Sequence, residues 1–393
     1  MTGARIGMNL LWLRPGVVGG SEEYLCRQLL GLLEIDHPFA IELFALPSFA
    51  DAHPELAGRY PVVAAPVSGA SRLLRVATES TWLARRTRHL DLVHHGGGAV
   101  PPVRATCPAV LTIHDLQYLR YPATFSAAKL AWLRRSVPAS ARRATVVVVP
   151  SEYVRSTVVE AFGARPDRVV VAPHGLPGGP SSGQASDQSS DQSSGGPDGP
   201  APTPEPELRE RLGLTGRVVV YPAITYPHKN HVVLVRALAR LGAGHDDVQL
   251  VLLGGRGPAE PALREEVAKL GLDGRVVRPG RVPERDRDGI YALADVLAFP
   301  SRYEGFGAPV LEAMAAGLPV VVAGAAALPE VVGGAGLLVP PDDPDAWAEA
   351  IALVLDDPAE AELLRAAGRS RAATFTAQRS AAALVHAYGL AVL

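Results

Sequence analysis

Pro300-Ser301-Arg302-Tyr303-Glu304-Gly305-Phe306-Gly307-Ala308-Pro309-Val310-Leu311-Glu312 is the stretch from which the rest of the chain is best read. The apolar run Val296 to Phe299 before it has the length of a buried strand, and Pro309 has the fixed φ suited to the start of a helix. Gly305 and Gly307 let the intervening backbone turn sharply and approach a ligand closely. Glu304 then falls in the loop at the strand's C-terminal end, and Glu312, eight positions on, about one turn into the helix. A helix N-terminus attracts phosphate through its N–H groups, and two carboxylates beside it accept from hydroxyls. Phosphate donors and hydroxyl acceptors in one corner describe a nucleotide-sugar site.

Working outward, short β-rich runs alternate with helical patterns on both sides of this stretch. In the first half, strands are expected at Arg5 to Leu11, Ile41 to Leu46, Leu92 to His94, Ala109 to Ile113, Thr145 to Val149 and Arg168 to Ala172. Helical patterns separate several of them, from about Glu22 to Leu33, Leu73 to His89, Ala127 to Arg135 and Glu152 to Phe162. The second half restarts with Val218 to Ala223, followed by Val248 to Leu253, Val276 to Arg278, Val296 to Phe299, Val320 to Ala323 and Leu337 to Val339. Such alternation implies mostly parallel sheets covered on both faces. Between the halves, Pro177 to Glu207 consists mainly of Gly, Ser, Pro, Gln, Asp and Glu, with the near-repeat SDQSSDQSS. It has too little apolar surface to offset its ordering entropy and reads as a disordered insertion in a linker.

The length of 393 residues fits two domains better than one core. The expected division is 1–176, the linker insertion 177–207, 208–375, and a closing segment 376–393. A net charge of −2 gives no support for nucleic acid as a partner. Two cysteines, Cys26 and Cys107, cannot build a disulfide framework and suit a reducing compartment. Without an apolar run of membrane-spanning length or a signal-peptide pattern, the expected location is the cytoplasm.

Several segments together resemble family 4 glycosyltransferases: EGFGAPVLEAMAAGLPVV, with its Glu-x7-Glu spacing, and in order along the chain GGSEEY, HDLQYLRYPATF, VVVVPSEYVRSTVVEAFG, VVVYPAITYPHKNH, LLGGRGP and PGRVPERDRDGIYALADVLAFPS. The resemblance covers about 360 of the 393 residues and omits the low-complexity stretch. It implies an α/β GT-B fold, two doubly wound Rossmann-like domains facing across a cleft. The first would be the acceptor side and the second would bind the nucleotide-sugar donor, with Ala377 to Leu390 crossing back to the first. It also implies a metal-independent, retaining hexosyltransferase with no cofactor, the nucleotide sugar being a substrate. The PHKNH loop and HDLQYL stretch look most like mannosyltransferase-type members, making GDP-mannose the first donor expectation and UDP-sugars the next.

On that pattern Glu304 accepts from the transferred sugar, Glu312 from the ribose, and the amides of Gly305, Phe306 and Gly307 meet phosphate or sugar. Lys229, between a strand and the following helix, is placed to neutralise the departing diphosphate, where charge develops in the transition state. Relatives carry an arginine earlier in this loop, where the chain has Ala223-Ile224-Thr225-Tyr226; His228, Arg281 and Arg302 are the candidates for the second cation. Arg281 and Val282 resemble the loop that holds the base. In the first half, Gly19 and Gly20 are matched to close approach to donor or acceptor. His114 is matched to a hydrogen bond with sugar or acceptor, its tautomer held by Asp115. No metal-ligand constellation appears: His94 and His95 point to opposite sides if extended, and Asp286-Arg287-Asp288 falls in a helical stretch.

Competing readings are a GT-B nucleotide-sugar 2-epimerase and a non-catalytic sugar-nucleotide-binding partner subunit. The acceptor class is open: a glycan, a lipid-linked precursor or a small molecule. Basic residues interleaved with Leu73, Leu74 and Trp82 over Ser71 to His89, and with Trp132 over Lys129 to Arg143, suggest peripheral contact with an anionic membrane face.

Overall fold

The computed structural model describes residues 3–102, 107–176 and 201–392, in two compact units: Met1–Gly179 with Phe375–Leu393, and Pro180–Thr374. In the first unit seven strands, β1 (Arg5–Leu10), β2 (Ala40–Ala45), β3 (Val62–Ala64), β4 (Leu92–His95), β5 (Ala109–Thr112), β6 (Val146–Val149) and β7 (Val169–Val171), form one sheet in the order β3-β2-β1-β4-β5-β6-β7. Every pair is parallel. β4, β5 and β6 are buried along their whole length, as Val146-Val147-Val148-Val149 illustrates, because helices cover both faces. Ile6, Met8, Leu10 and Leu92 pack into one core, and Leu11, Phe44, Leu83 and Leu90 into a cluster of their own.

The C-terminal helix Ala377–Val392 belongs to this first unit. It packs along the helix Gly20–Leu33 so closely that a Cβ on Gly31 would lie 2.3 Å from the Ala377 carbonyl oxygen. Gln28 Nε2 donates to Ser380 Oγ at 3.1 Å. On β4, His94 joins Tyr388 Oη (2.9 Å) on that helix to Thr112 Oγ1 (2.7 Å) on β5. Burial holds its imidazole neutral, its pKa pushed down to about 3. His95 faces the other side of the sheet, toward Asn9, so the two adjacent histidines diverge as an extended strand requires.

The second unit has β8 (Val218–Pro222), β9 (Gln249–Leu253), β10 (Val276–Gly280), β11 (Val296–Phe299), β12 (Val320–Ala323) and β13 (Leu337–Val339), all parallel, in the order β10-β9-β8-β11-β12-β13. All six match strands expected from the sequence. Pro279 is tolerated in β10 because that strand is at the sheet edge, where its register shifts between Val277 and Gly280.

Three expectations need correction. β3 was not foreseen: three residues, Val62-Val63-Ala64, are too few to show a period. The pattern over Leu73 to His89 is not one α-helix but Arg72–Thr78, a π-helical turn Glu79–Leu83 and Ala84–Arg86. The segment 177–207 does not lack structure to its end. Residues 177–200 lie outside the described residues, but Glu205–Leu212 is a helix, opened by Pro204 and Pro206, anchored by buried Leu208, and closed by Gly213 in the left-handed region. Its charged composition hides one apolar anchor among Glu and Arg.

Candidate active site

β8 and β11 are neighbours in the second sheet, and the chain leaves their C-terminal ends toward opposite halves of it, the position where open α/β sheets bind ligands. After β11 the loop is pinned from within. Ser301 is fully buried and donates from Oγ to the Tyr303 carbonyl at 3.1 Å, while Tyr303 and Phe306 bury their rings. Gly307 precedes the helix Ala308–Ala315 with φ 105°, and no side chain caps that helix. A Cβ on Gly307 would lie 2.7 Å from Leu328 Cδ2, so the residue is required both by φ and by space. Gly307→Ala is expected to cost about 1–3 kcal/mol, measured as a lowered urea midpoint.

After β8 a single 3₁₀ turn, Pro227–Lys229, leads through Asn230, a non-glycine residue at φ 56°, into the helix His231–Arg240. Asn230 tolerates that conformation, and its Nδ2 donates to the Pro341 carbonyl. Tyr221 Oη donates to the Lys229 carbonyl at 2.7 Å. The Arg302 N–H donates to the His228 carbonyl (2.8 Å) and its guanidinium to the Pro227 carbonyl (3.1 Å), so the β8 and β11 loops are latched together.

Across that latch Lys229 Nζ donates to Glu304 Oε1 at 2.6 Å, with side-chain exposures of 19% and 13%. The negative charge of Glu304 also reaches Tyr221, whose pKa is raised first by burial and then by that carboxylate. Glu312 lies in the helix after the same loop, 4.0 Å from Nη1 of Arg287, which also holds Glu284 and Asp288. Lys229 and Glu304 therefore meet where the loops after β8 and β11 join, and an uncapped helix start and Glu312, beside Arg287, follow on the same strand–loop–helix step. These groups can hold an anion at the lysine and hydroxyls at the carboxylates. A cavity of about 340 Å³ adjoins the Lys229 turn, lined by Tyr226, Asn230, His231, Arg236, Arg302 and Asp342 among others. It borders the latch and not the two glutamates.

The remaining candidates divide. His228 is 3% exposed, and burial followed by the Lys229 charge pushes its pKa down to about 3, so it is neutral at pH 7 and cannot be the second cation. Arg302 is committed to Asp342 and to the Pro227 carbonyl. Arg281 and Val282 follow β10, separated from β11 by two strands, a distance of roughly 14 Å at ordinary strand spacing. The stretch Ala223-Ile224-Thr225-Tyr226 is held by packing. Thr225 is fully buried, accepts from the Gly257 N–H (2.6 Å) and donates to Glu260 (3.1 Å), and Glu260 in turn pairs with Arg278.

Gly19, Gly20 and His114 lie in the other unit. Gly19 has φ 75° and precedes the helix, which begins at Gly20 and not at Glu22; a Cβ on either glycine would meet open space. His114 Nε2 donates to the Gly96 carbonyl at 2.9 Å, and that carbonyl fixes the tautomer. Asp115 Oδ1 accepts from the Gln117 N–H, in a turn of its own. Burial pushes His114 down to about 4, a neutral imidazole. Sequence reasoning missed Arg287, weighed only as the middle of an Asp-x-Asp, and Asp342, which carries no local signal. Among the described residues no three His, Cys, Asp or Glu side chains are grouped to hold a metal ion.

Residues 18–177 match the model for Glycosyltransferase Family 4, and residues 212–357 that for Glycosyl transferases group 1. An O-antigen chain mannosyltransferase B of Escherichia coli is 30% identical over 301 residues, covering 76% of this chain and 74% of that protein. The chain belongs to glycosyltransferase family 4. A GDP-mannose-dependent alpha-(1-6)-phosphatidylinositol monomannoside mannosyltransferase of Mycolicibacterium smegmatis is 32% identical over 236 residues, covering 58% and 57% of the two chains. Among solved structures, Anabaena HepE, crystallised with UDP and glucose, superposes with TM-score 0.72 at 22% identity over 98% of this chain and 99% of that one. This glycosyltransferase therefore has the GT-B fold, and its Glu304–Glu312 pair stands in the group 1 region while His114 and the glycine loop stand in the family 4 region.

Proposed function

We propose that this glycosyltransferase binds a nucleoside diphosphate sugar in its Pro180–Thr374 unit and passes the sugar to an acceptor hydroxyl with retention of configuration. The observation that carries the reading is the Lys229–Glu304 pair set beside an uncapped helix start and Glu312. In the bound state the diphosphate takes a share of Lys229 from Glu304, which is then released to accept from the sugar hydroxyls. Glu312 accepts from the ribose, and the amides of Gly305, Phe306 and Gly307 face phosphate. As the bond to the anomeric carbon breaks, charge grows on the leaving diphosphate, and Lys229 lowers the barrier by meeting it there. The departing diphosphate oxygen takes the proton of the incoming hydroxyl on the same face of the sugar. No residue on this route calls for a metal ion or a cofactor.

GDP-mannose is the first donor in this reading and UDP-sugars the next, supported by the mannosyltransferase names of two relatives. The unit containing Met1–Gly179 serves the acceptor. The test is incubation with GDP-mannose and UDP-glucose, with and without acceptor and with EDTA, followed by NMR of the product's anomeric centre. An axial product from an axial donor, formed in EDTA, is expected. Isomerised nucleotide sugar without acceptor would reveal the epimerase, and binding without turnover the non-catalytic subunit.

The protein is proposed to act in the cytoplasm, at the inner face of the membrane. No helix among the described residues is long and apolar enough to cross a bilayer. Leu73 and Leu74 are 82% and 61% exposed, beside Arg72, whose guanidinium lies 4.0 Å from the centre of the Trp132 ring. Exposed leucines flanked by arginines suit an anionic interface. The double change Leu73→Glu and Leu74→Glu is expected to abolish sedimentation with phosphatidylglycerol vesicles; unchanged sedimentation would reject the contact.

A further inference from the structure

In the first unit the chain leaves β1 toward β2 and β4 toward β5, on opposite sides, so the C-terminal ends of this strand pair form that sheet's own ligand-binding position. The loop after β1, residues 11–19, stands there. Its base is anchored. Leu11 and Leu13 are fully buried, and the Trp12 ring lies 5.8 Å from that of His114 and against the loop after β4, where a Cβ on Gly97 would fall 2.4 Å from Trp12 Cγ. Its tip is open: Val17 is 65% exposed, and a Cβ on Gly16, Gly19 or Gly20 would meet nothing within 4 Å. Gly20 already lies in the helix and is not in the left-handed region, so neither its backbone nor its neighbours require a glycine. What the missing side chain leaves is free approach to the backbone.

One acid sets the shape of this open tip. Glu22, in the first turn of the helix Gly20–Leu33 and 8% exposed, accepts the Gly16 N–H on both carboxylate oxygens, at 3.0 and 3.3 Å. Gly16 is held by that clasp at φ 71°. His53 in turn donates from Nε2 to Glu22 Oε1 at 2.9 Å. A carboxylate only accepts, so the proton of this bond belongs to Nε2. The imidazole is itself held: its centre is 5.0 Å from that of the fully buried Phe49 ring, and its Nδ1 lies 3.7 Å from Cys26 Sγ and 3.3 Å from Glu55 Oε1. Burying a carboxylate costs free energy unless it is paired and hydrogen-bonded, and Glu22 is both. The pair joins the segment between β2 and β3 to one amide of the loop after β1, so what it fixes is the loop tip.

We propose that Glu22, aimed by His53, is a positioning residue of the transfer reaction, holding residues 14–19 in the shape that receives a hydroxylated acceptor, a sugar or polyol. The class follows from what the tip presents. Backbone amides and carbonyls bared at glycines suit hydroxyls, because a hydroxyl both donates and accepts. Neither Glu22 nor His53 touches the acceptor; both act through the backbone of Gly16. The inference rests on the transferase reading above, with its assignment of the first unit to the acceptor, and adds to it the residues that shape the receiving loop.

The test uses the full chain, GDP-mannose and UDP-glucose as donors, and methyl α-D-mannopyranoside and myo-inositol as acceptor probes. Glu22→Ala is expected to lower kcat/KM for the acceptor by roughly ten- to a hundredfold, the scale of an ångström-sized misplacement, while donor KM and donor hydrolysis without acceptor stay within about twofold. His53→Ala should move the acceptor kcat/KM in the same direction by less. His53→Gln keeps an N–H near the place of Nε2 and is expected to recover most of that loss. If Glu22→Ala lowers the melting temperature, the two His53 variants carry the test, because that side chain is already 16% exposed. An unchanged acceptor kcat/KM in both alanine variants would overturn the inference. So would equal losses for donor and acceptor, the mark of a merely structural role, or no recovery in His53→Gln. An unaltered enzyme that hydrolyses donor but transfers to neither probe would overturn it too. Failure of the transferase reading looks different: the unaltered chain would neither bind nor hydrolyse donor.

Discussion

Glu312→Ala is expected to abolish the thermal stabilisation that a nucleotide sugar confers on this enzyme. A ligand at 100 times its dissociation constant stabilises the unaltered protein by about 2.7 kcal/mol, which for a unit of this size is roughly 5–10 °C in melting temperature. Hydrogen bonds from ribose hydroxyls to a carboxylate are worth about 1.5–3 kcal/mol each. Losing two of them lowers affinity enough to erase the shift at the same ligand concentration. The unliganded protein should barely notice. The Glu312 side chain is 11% exposed and 4.0 Å from Arg287, which retains Glu284 at 2.9 Å and Asp288 at 3.1 Å when Glu312 is gone. Thermal shift with and without GDP-mannose or UDP-glucose separates the two effects. A full shift in the variant would remove Glu312 from the site.

The second large effect is expected at Lys229. Removing a group that stabilises developing charge typically costs about 10²- to 10³-fold in turnover, and Lys229→Ala should fall in that range. The same change should weaken nucleoside diphosphates more than bare nucleosides, because only the diphosphate presents charge to Nζ. Calorimetric titration of GDP against guanosine, and of UDP against uridine, measures this difference. Equal losses for both ligands would contradict the role given to Lys229. The turn itself should survive, since Tyr221, Asn230 and Arg302 hold its backbone and not the lysine head group.

The strands of the second unit were legible because each contains a short run of Val, Leu, Ala or Phe near turn residues, even β10, which runs on through Arg278 and Pro279. Parallel strands covered on both faces leave that mark. β3 left none, being three residues at an edge. The strand–loop–helix step that carries Glu304 and Glu312 was legible because its apolar strand, its glycines and the proline that opens its helix are local. What closes it was not. Asp342 meets Arg302 from forty positions away, and Thr225 meets Glu260 from thirty-five, separations over which spacing carries no signal.

The most direct measurement is a crystal structure of the enzyme with GDP-mannose or UDP-glucose. The account predicts diphosphate oxygens on the amides of Gly305 to Gly307 and on Lys229 Nζ, with ribose hydroxyls on Glu312 and Glu304 turned to the sugar. A diphosphate bound away from the β8 and β11 loops, with the Lys229–Glu304 pair undisturbed, would contradict it.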